Sequence, residues 1–181
     1  MSNNIASGSG NSGNGSMRRR WISLYVENRV GVLARISGSF SGKAYNIHSL
    51  TVGETEDTNI SRMTVCVDAD DNTHEQIKKQ LNRMVEVIKV IDYTDRAIRN
   101  KEVMFIKIFN VSEKDRAEIF QMGEAFRFQI KDMDKKSVLI EATRTEAKND
   151  SILRAINERF KNIEVVRGGP VAIESISMQD R

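Results

Sequence analysis

The chain of 181 residues has one cysteine, one proline, one tryptophan and two histidines, and each scarcity excludes a class of explanation. A single thiol, Cys66, cannot form an intramolecular disulfide, so an intracellular, cytoplasmic setting is expected. His48 and His74 with that one cysteine are too few soft ligands for a dedicated zinc site, and no metal residues are assigned. No uncharged apolar run approaches the roughly 20 residues of a membrane span, and the N-terminus lacks the apolar stretch of a signal peptide. Charge of one sign is also scarce: 28 Lys+Arg stand against 25 Asp+Glu, a net of +3. The balance is even in both halves, without the basic stripe that reads nucleic acid. Neither nucleic acid nor membrane is therefore an expected partner. Arg18, Arg19 and Arg20, the one tight basic cluster, read as a solvated strand entry.

What remains is an ordinary globular composition, 39% hydrophobic and 29% charged, in a chain long enough for one large domain or two small ones. Residues 1–16 are almost wholly Ser, Asn and Gly and are expected to form a disordered tail, natural or added, with Met17 as a candidate original start. From Trp21 the pattern has period two, with Ile22, Leu24 and Val26 on one face and Trp21, Ser23 and Tyr25 on the other. Asn28-Arg29-Val30-Gly31 breaks that strand. Val32, Leu33, Ile36 and Phe40 then fall at helical spacing as far as about Lys43. Strands are expected at Ile47–Thr55 and Arg62–Asp68. A helix carrying Ile77, Leu81 and Met84 follows the N-cap chemistry of Asp70–Thr73, and a fourth strand spans Val85–Asp92.

The same order recurs in the second half. A strand at Val103–Phe109, a helix at Glu113–Phe126 and short strands at Phe128–Met133 and Ser137–Ala142 precede a helix at Lys148–Phe160 and a final strand at Ile163–Arg167. The repeat is architectural, with no shared residue string. The fold class is therefore α+β, two ferredoxin-like βαββαβ domains over residues 17–94 and 95–181, joined near Thr94–Asn100. Each such unit leaves one sheet face bare. Trp21 and Tyr25 belong to that face, and a bare face finds a partner, so oligomerisation is expected.

No catalytic set can be assembled. His48 lies in a strand beside Ser49 without an acid or oxyanion loop, and His74 near a helix start suits an exposed or capping role. Cys66 alternates outward from Val65 and Val67 and reads as a structural thiol. Gly168-Gly169-Pro170 follows a strand but opens no helix, so it is not a phosphate loop. The informative segment is the strand–loop–helix around Asn28 and Gly31. Gly31 precedes a helix whose first N–H groups lack internal partners, a place for a carboxylate, and the Asn28 amide oxygen can accept from an ammonium group. Together they suit the charged end of a free amino acid; a plain strand-to-helix turn accounts for the same two residues.

The segment Glu27-Asn28-Arg29-Val30-Gly31-Val32-Leu33-Ala34-Arg35-Ile36, with Tyr45-Asn46-Ile47-His48-Ser49-Leu50-Thr51-Val52 and Ser61-Arg62-Met63-Thr64, closely resembles the small regulatory subunits of acetolactate (acetohydroxyacid) synthase. Glu75-Gln76-Ile77, Lys79-Gln80-Leu81-Asn82 and Val87-Ile88-Lys89-Val90 extend the match, which is strong over residues 17–94 and weaker beyond. The resemblance implies that the first domain is an ACT domain and that the chain dimerises through it. It further implies a large catalytic subunit carrying thiamine diphosphate, Mg²⁺ and FAD, which condenses pyruvate with pyruvate or 2-oxobutyrate. This chain would hold no cofactor and do no chemistry, but raise that subunit's activity and confer feedback inhibition by valine in branched-chain amino acid biosynthesis. Carried over by position, the valine site consists of Asn28, Gly31, Val32 and Leu33, with Asn46 and Ile47 approaching from the partner subunit. Val32, Leu33 and Ile47 would supply its apolar floor. Two other readings stand beside this one, an amino-acid sensor that works alone and a small ferredoxin-like enzyme.

Overall fold

Two antiparallel sheets, each with a pair of helices in its unit, organise the chain in a computed structural model that describes residues 16–43 and 45–176. The stretch 1–16, read above as a tail, lies outside the described residues except for Ser16. The first unit runs β1 (Arg18–Glu27), α1 (Val32–Ser41), β2 (Ile47–Glu54), β3 (Ile60–Ala69), α2 (Asp71–Leu81) and β4 (Val87–Asp92). The second runs β5 (Ile98–Phe109), α3 (Glu113–Phe126), β6 (Gln129–Met133), β7 (Ser137–Arg144), α4 (Glu146–Arg159), β8 (Ile163–Arg167) and β9 (Val171–Glu174). The strand orders β2-β3-β1-β4 and β6-β7-β5-β8 correspond position for position, so the expected pair of βαββαβ units is present.

Alternation builds each core. Ile22, Leu24 and Val26 of β1 meet Met63, Val65 and Val67 of β3 beneath Val32, Ile36 and Phe40 of α1. In the second unit Met104, Ile106 and Ile108 pack with Val138, Ile140 and Ala142 against Ile152 and Ile156 of α4. Asp70 caps α2 by accepting from the Thr73 backbone N–H at 2.7 Å, as its position predicts.

Two features depart from expectation. β5 begins at Ile98 rather than Val103, and β8 is not the last strand. β9 pairs with the early part of β5, Ile98 opposite Glu174 and Lys101 opposite Val171, forming a two-stranded ribbon. That ribbon meets the sheet face expected to be bare. The Thr51 hydroxyl donates to the Pro170 carbonyl at 3.2 Å, and the Ala172 N–H donates to Thr64 Oγ1 at 3.4 Å. Gly169, at φ +76°, comes so near that a Cβ there would lie 3.1 Å from the Thr51 methyl. Ser23, Thr64 and Cys66, all on this face, are buried. The first sheet thus finds part of its cover within its own chain.

A second contact joins the units. Arg19 Nη1 donates to Glu146 Oε2 at 2.8 Å, and the His48 ring bonds Glu146 Oε1 through Nε2 at 2.5 Å and Arg19 Nη2 through Nδ1 at 3.2 Å.

Candidate functional site

The end of β1 hands Asn28 to a loop whose backbone is pinned by the Asn28 N–H donating to the Asn59 carbonyl at 2.7 Å. The side-chain Nδ2 donates to Glu54 Oε1 at 3.0 Å and to the Thr58 carbonyl at 2.8 Å. Two acceptors on the nitrogen fix the amide's orientation and leave its Oδ1 as the free acceptor. Three residues on, Gly31 is the N-cap of α1 at φ +85° and ψ −10°, a left-handed conformation that L side chains adopt at a cost. Space is not the constraint: a Cβ would meet only Arg35 Nη1, at 3.7 Å. The helix has no side-chain cap and no acidic residue in its first turn. The Val32 N–H donates to the Arg29 carbonyl at 3.3 Å, but no side chain caps the positive end or neutralises it, and it faces an exposed loop. Nearby charges are already paired, Arg35 Nε with Glu86 Oε1 at 2.6 Å and Arg29 Nη1 with Glu27 Oε2 at 3.6 Å.

The side chains expected to floor the site separate. Val32 is 3% exposed and belongs to the core beneath α1, so only its backbone is available there, whereas Leu33 is 44% exposed. Asn46 and Ile47 stand at the opposite end of the sheet. Ile47 is level with Val67 and Arg20, while Glu54 at the other end of β2 is level with Ser61 and Val26. At about 3.3 Å per residue that places Ile47 about 23 Å from Glu54. One chain therefore brings together Asn28, Gly31 and Leu33, and keeps Asn46 and Ile47 apart from them. β2 is an edge strand of its sheet, so its outer backbone edge has no strand partner within the described residues. Glu54 and Thr58, which orient Asn28, were not singled out from the sequence. The only signal for them was the polar loop at 56–59, where Asp57 Oδ1 accepts from the Asn59 N–H at 2.9 Å.

Elsewhere the chemistry-bearing residues have structural duties. His74 is buried, against expectation: it bonds Asp92 Oδ2 at 2.8 Å because α2 packs its first turn toward β4. Burial alone would raise the Asp92 carboxyl, but bonds from the Thr94 N–H and Lys78 Nζ, each at 2.9 Å, outweigh it and hold the acid well below its ordinary range. Burial pushes the Cys66 thiol up to about 12, against the pull of Arg19, which leaves it an unreactive sulfur at neutral pH. Among the described residues no cluster of His, Cys, Asp and Glu is arranged to hold a metal, and no helix is long and apolar enough to cross a membrane.

Comparison with known proteins accounts for both units. Residues 22–89 match the family model described as an AHAS small subunit-like ACT domain, and residues 101–176 match that of the small subunit of acetolactate synthase. A probable acetolactate synthase small subunit of Methanothermobacter thermautotrophicus is 39% identical over 84% of this chain and 90% of its own length. The acetolactate synthase isozyme 3 small subunit of Escherichia coli is 38% identical over 86% and 94%. The crystal structure of the acetolactate synthase small subunit from Thermotoga maritima superposes with a TM-score of 0.81 at 33% identity, covering 90% of this chain and 100% of that one.

Proposed function

The chain belongs to the acetolactate synthase small-subunit family, and from that premise we propose that it is a non-catalytic regulatory subunit inhibited through valine. In this reading it activates a large catalytic subunit in the cytoplasm. Thiamine diphosphate, Mg²⁺ and FAD reside in that partner, and this chain contributes no cofactor-binding group. The observation that carries the reading is the loop from Asn28 to Gly31: an oriented amide oxygen beside an uncapped helix start, held by a left-handed glycine. The Asn28 oxygen takes the ligand's ammonium, and the first-turn N–H groups of α1 beyond Val32, that of Leu33 among them, take its carboxylate.

A second copy completes the site. Antiparallel pairing of the free edge of β2 with its own copy would bring the start of one β2 beside the end of the other. Asn46 and Ile47 of one chain then lie by Glu54, Asn28 and Gly31 of its neighbour, which is the juxtaposition that a single chain lacks. Leu33 and Ile47 line the isopropyl group, and pocket volume discriminates against larger side chains by about 1–3 kcal/mol per methylene. Inhibition requires valine to bind two states of the complex unequally. A coupling of about 1–3 kcal/mol is sufficient, with the ligand tightening the dimer and shifting the docking of the catalytic subunit.

The test is acetolactate synthesis by the large subunit reconstituted with this chain, with and without valine. Gly31→Asp sets a like charge beside the ligand carboxylate, and it should leave activation intact while abolishing inhibition. Titration of valine, leucine, isoleucine and lysine into the chain should show branched-residue selectivity that Asn28→Ala removes. A Gly31→Asp holoenzyme with full valine sensitivity would place the site elsewhere.

A further inference from the structure

A cleft of about 680 Å³ opens where the β5–β9 ribbon leaves the face of the first sheet. Its charged lining is Arg62 of β3, Arg99 and Lys101 of β5 and Lys148 of α4, against one carboxylate, Glu54. Glu54 is already engaged by Asn28. None of the four cations makes an ion pair among the described residues. We infer that this cleft is a second ligand site, for a small organic anion bearing phosphate or carboxylate groups.

Arg62 is the anchor of the argument. Its Nε donates to Ser23 Oγ at 3.0 Å and its Nη2 to the Tyr93 hydroxyl at 2.5 Å, and its guanidinium lies 5.2 Å from the Tyr25 ring centre. Ser23 and Tyr93 are both buried, so the guanidinium is held in one orientation by neutral groups and its charge stays uncompensated. A partly buried arginine is ordinarily matched by a carboxylate or phosphate. Three further cations line the same cleft from the other unit, and like charges gathered at a domain junction favour an anion between them. The start of α4 adds to the field: Thr145 lines the cleft as an N-cap without a side-chain bond. Glu146, the acid of that first turn, is turned away to Arg19 and His48. Exposed Val171 and Ile173 offer an apolar wall for the body of the ligand, and the volume is that of an ordinary small-molecule pocket.

Because its lining comes from both units, an anion bound there would tie them together. The end of β2 at Gly53 and Glu54 borders the cleft while the Glu54 side chain holds Asn28 from the other face, so occupancy would be felt at the amino-acid loop through that strand end. That last link rests on the regulatory reading above, whereas binding of the anion does not. Calorimetric titration of pyrophosphate and, separately, of citrate into the full chain without amino acid tests it, first at low ionic strength and then at physiological salt. At least one probe should saturate at one site per chain and weaken about tenfold or more in the double variant Arg99→Gln, Lys148→Gln. Lys79→Gln, on exposed α2, should bind as the parent does. A stronger response to pyrophosphate assigns a phosphate-bearing ligand, and a stronger response to citrate assigns a carboxylate. No saturation by either probe, or equal weakening by the double variant and Lys79→Gln, would overturn the site. A parallel titration with valine separates the two ideas, since its failure would remove the regulatory reading and leave the anion titrations standing.

Discussion

The two units share one strand order, yet they enter their first helices in opposite ways. α1 starts at a left-handed glycine with no side-chain cap and no acid in its first turn. α3, its counterpart, starts at Ser112, whose hydroxyl accepts from the Asp115 N–H at 3.2 Å while Asp115 Oδ2 accepts from the Ser112 N–H at 2.9 Å. Glu113 and Asp115 also place negative charge in that first turn. A reciprocal capping box uses up the donors that an anion would seek and screens the helix dipole. Equivalent positions in one topology are thus open in the first unit and closed in the second. Recurrence of a fold did not bring recurrence of the open helix start, because that feature resides in three or four loop residues rather than in the strands.

The largest effect expected from separating the units is at Glu102. Its carboxylate accepts from Arg167 Nε at 2.9 Å and Nη2 at 2.7 Å, and from buried Asn149 Nδ2 at 3.1 Å. Glu102→Ala leaves the buried Asn149 amide short of an acceptor and Arg167 with Asp150 alone, and should cost the second unit about 2–3 kcal/mol. The lone tryptophan, Trp21, lies in the first unit, so its fluorescence during urea unfolding reports that unit while circular dichroism reports both. Equal losses by both probes would show that the halves unfold as one body, and the contrast between them would then be one of chemistry alone. Gly31→Ala should follow, lowering stability by about 1–2 kcal/mol through its positive φ, read from the same fluorescence transition. Ser112→Ala removes half of the capping box and should cost about 1 kcal/mol, with no change in valine binding. A Ser112→Ala chain that lost valine binding would break the comparison outright.

The smallest effect is a pH dependence to which the closed unit contributes beside the lowered Asp92 of the open one. Burial raises the Glu102 carboxyl, but its bonds to Arg167 and Asn149 prevail and hold it below the ordinary glutamate value; the Ser112 side-chain bond lowers Asp115 likewise. A depressed folded value means that the unfolded chain takes up protons first. The stabilisation is therefore complete above the ordinary carboxylate values of about 4 and declines as pH falls below them toward the folded ones. Urea midpoints between neutral pH and about pH 3 should fall for the parent and fall less steeply for Glu102→Gln.

The fold was legible where side-chain period and burial coincide. Ile22, Leu24 and Val26 announce β1, and Ile152 and Ile156 announce α4, because each set faces a core within its own unit. β9 was not legible. Four residues after Gly168-Gly169-Pro170 are too few to display a period, and their partner stretch Arg99-Asn100-Lys101 is polar since the ribbon packs across units rather than into either core. His74 was misread for a similar reason: its partner Asp92 is 18 positions away, beyond the reach of any local pattern. At the candidate site Asn28 and Gly31 were visible from their chemistry. The withdrawal of Val32 into the core was not, since helical spacing gives Val32 and Leu33 adjacent places and only the packing of α1 decides which turns inward.

β5 is twelve residues long, about 40 Å at strand rise, and unbroken. Its first third is clamped to β9 above the first sheet, and the remainder lies between β7 and β8 at the centre of the second. Such a strand works as a stiff beam fixed at both ends. Rocking of one unit over the other cannot be absorbed by the short connection at 93–97 alone, because the ribbon must twist with it. A strain applied near Thr51 or Thr64 is delivered directly to the hydrogen-bond ladder inside the second sheet, so the two halves share a common mechanical axis.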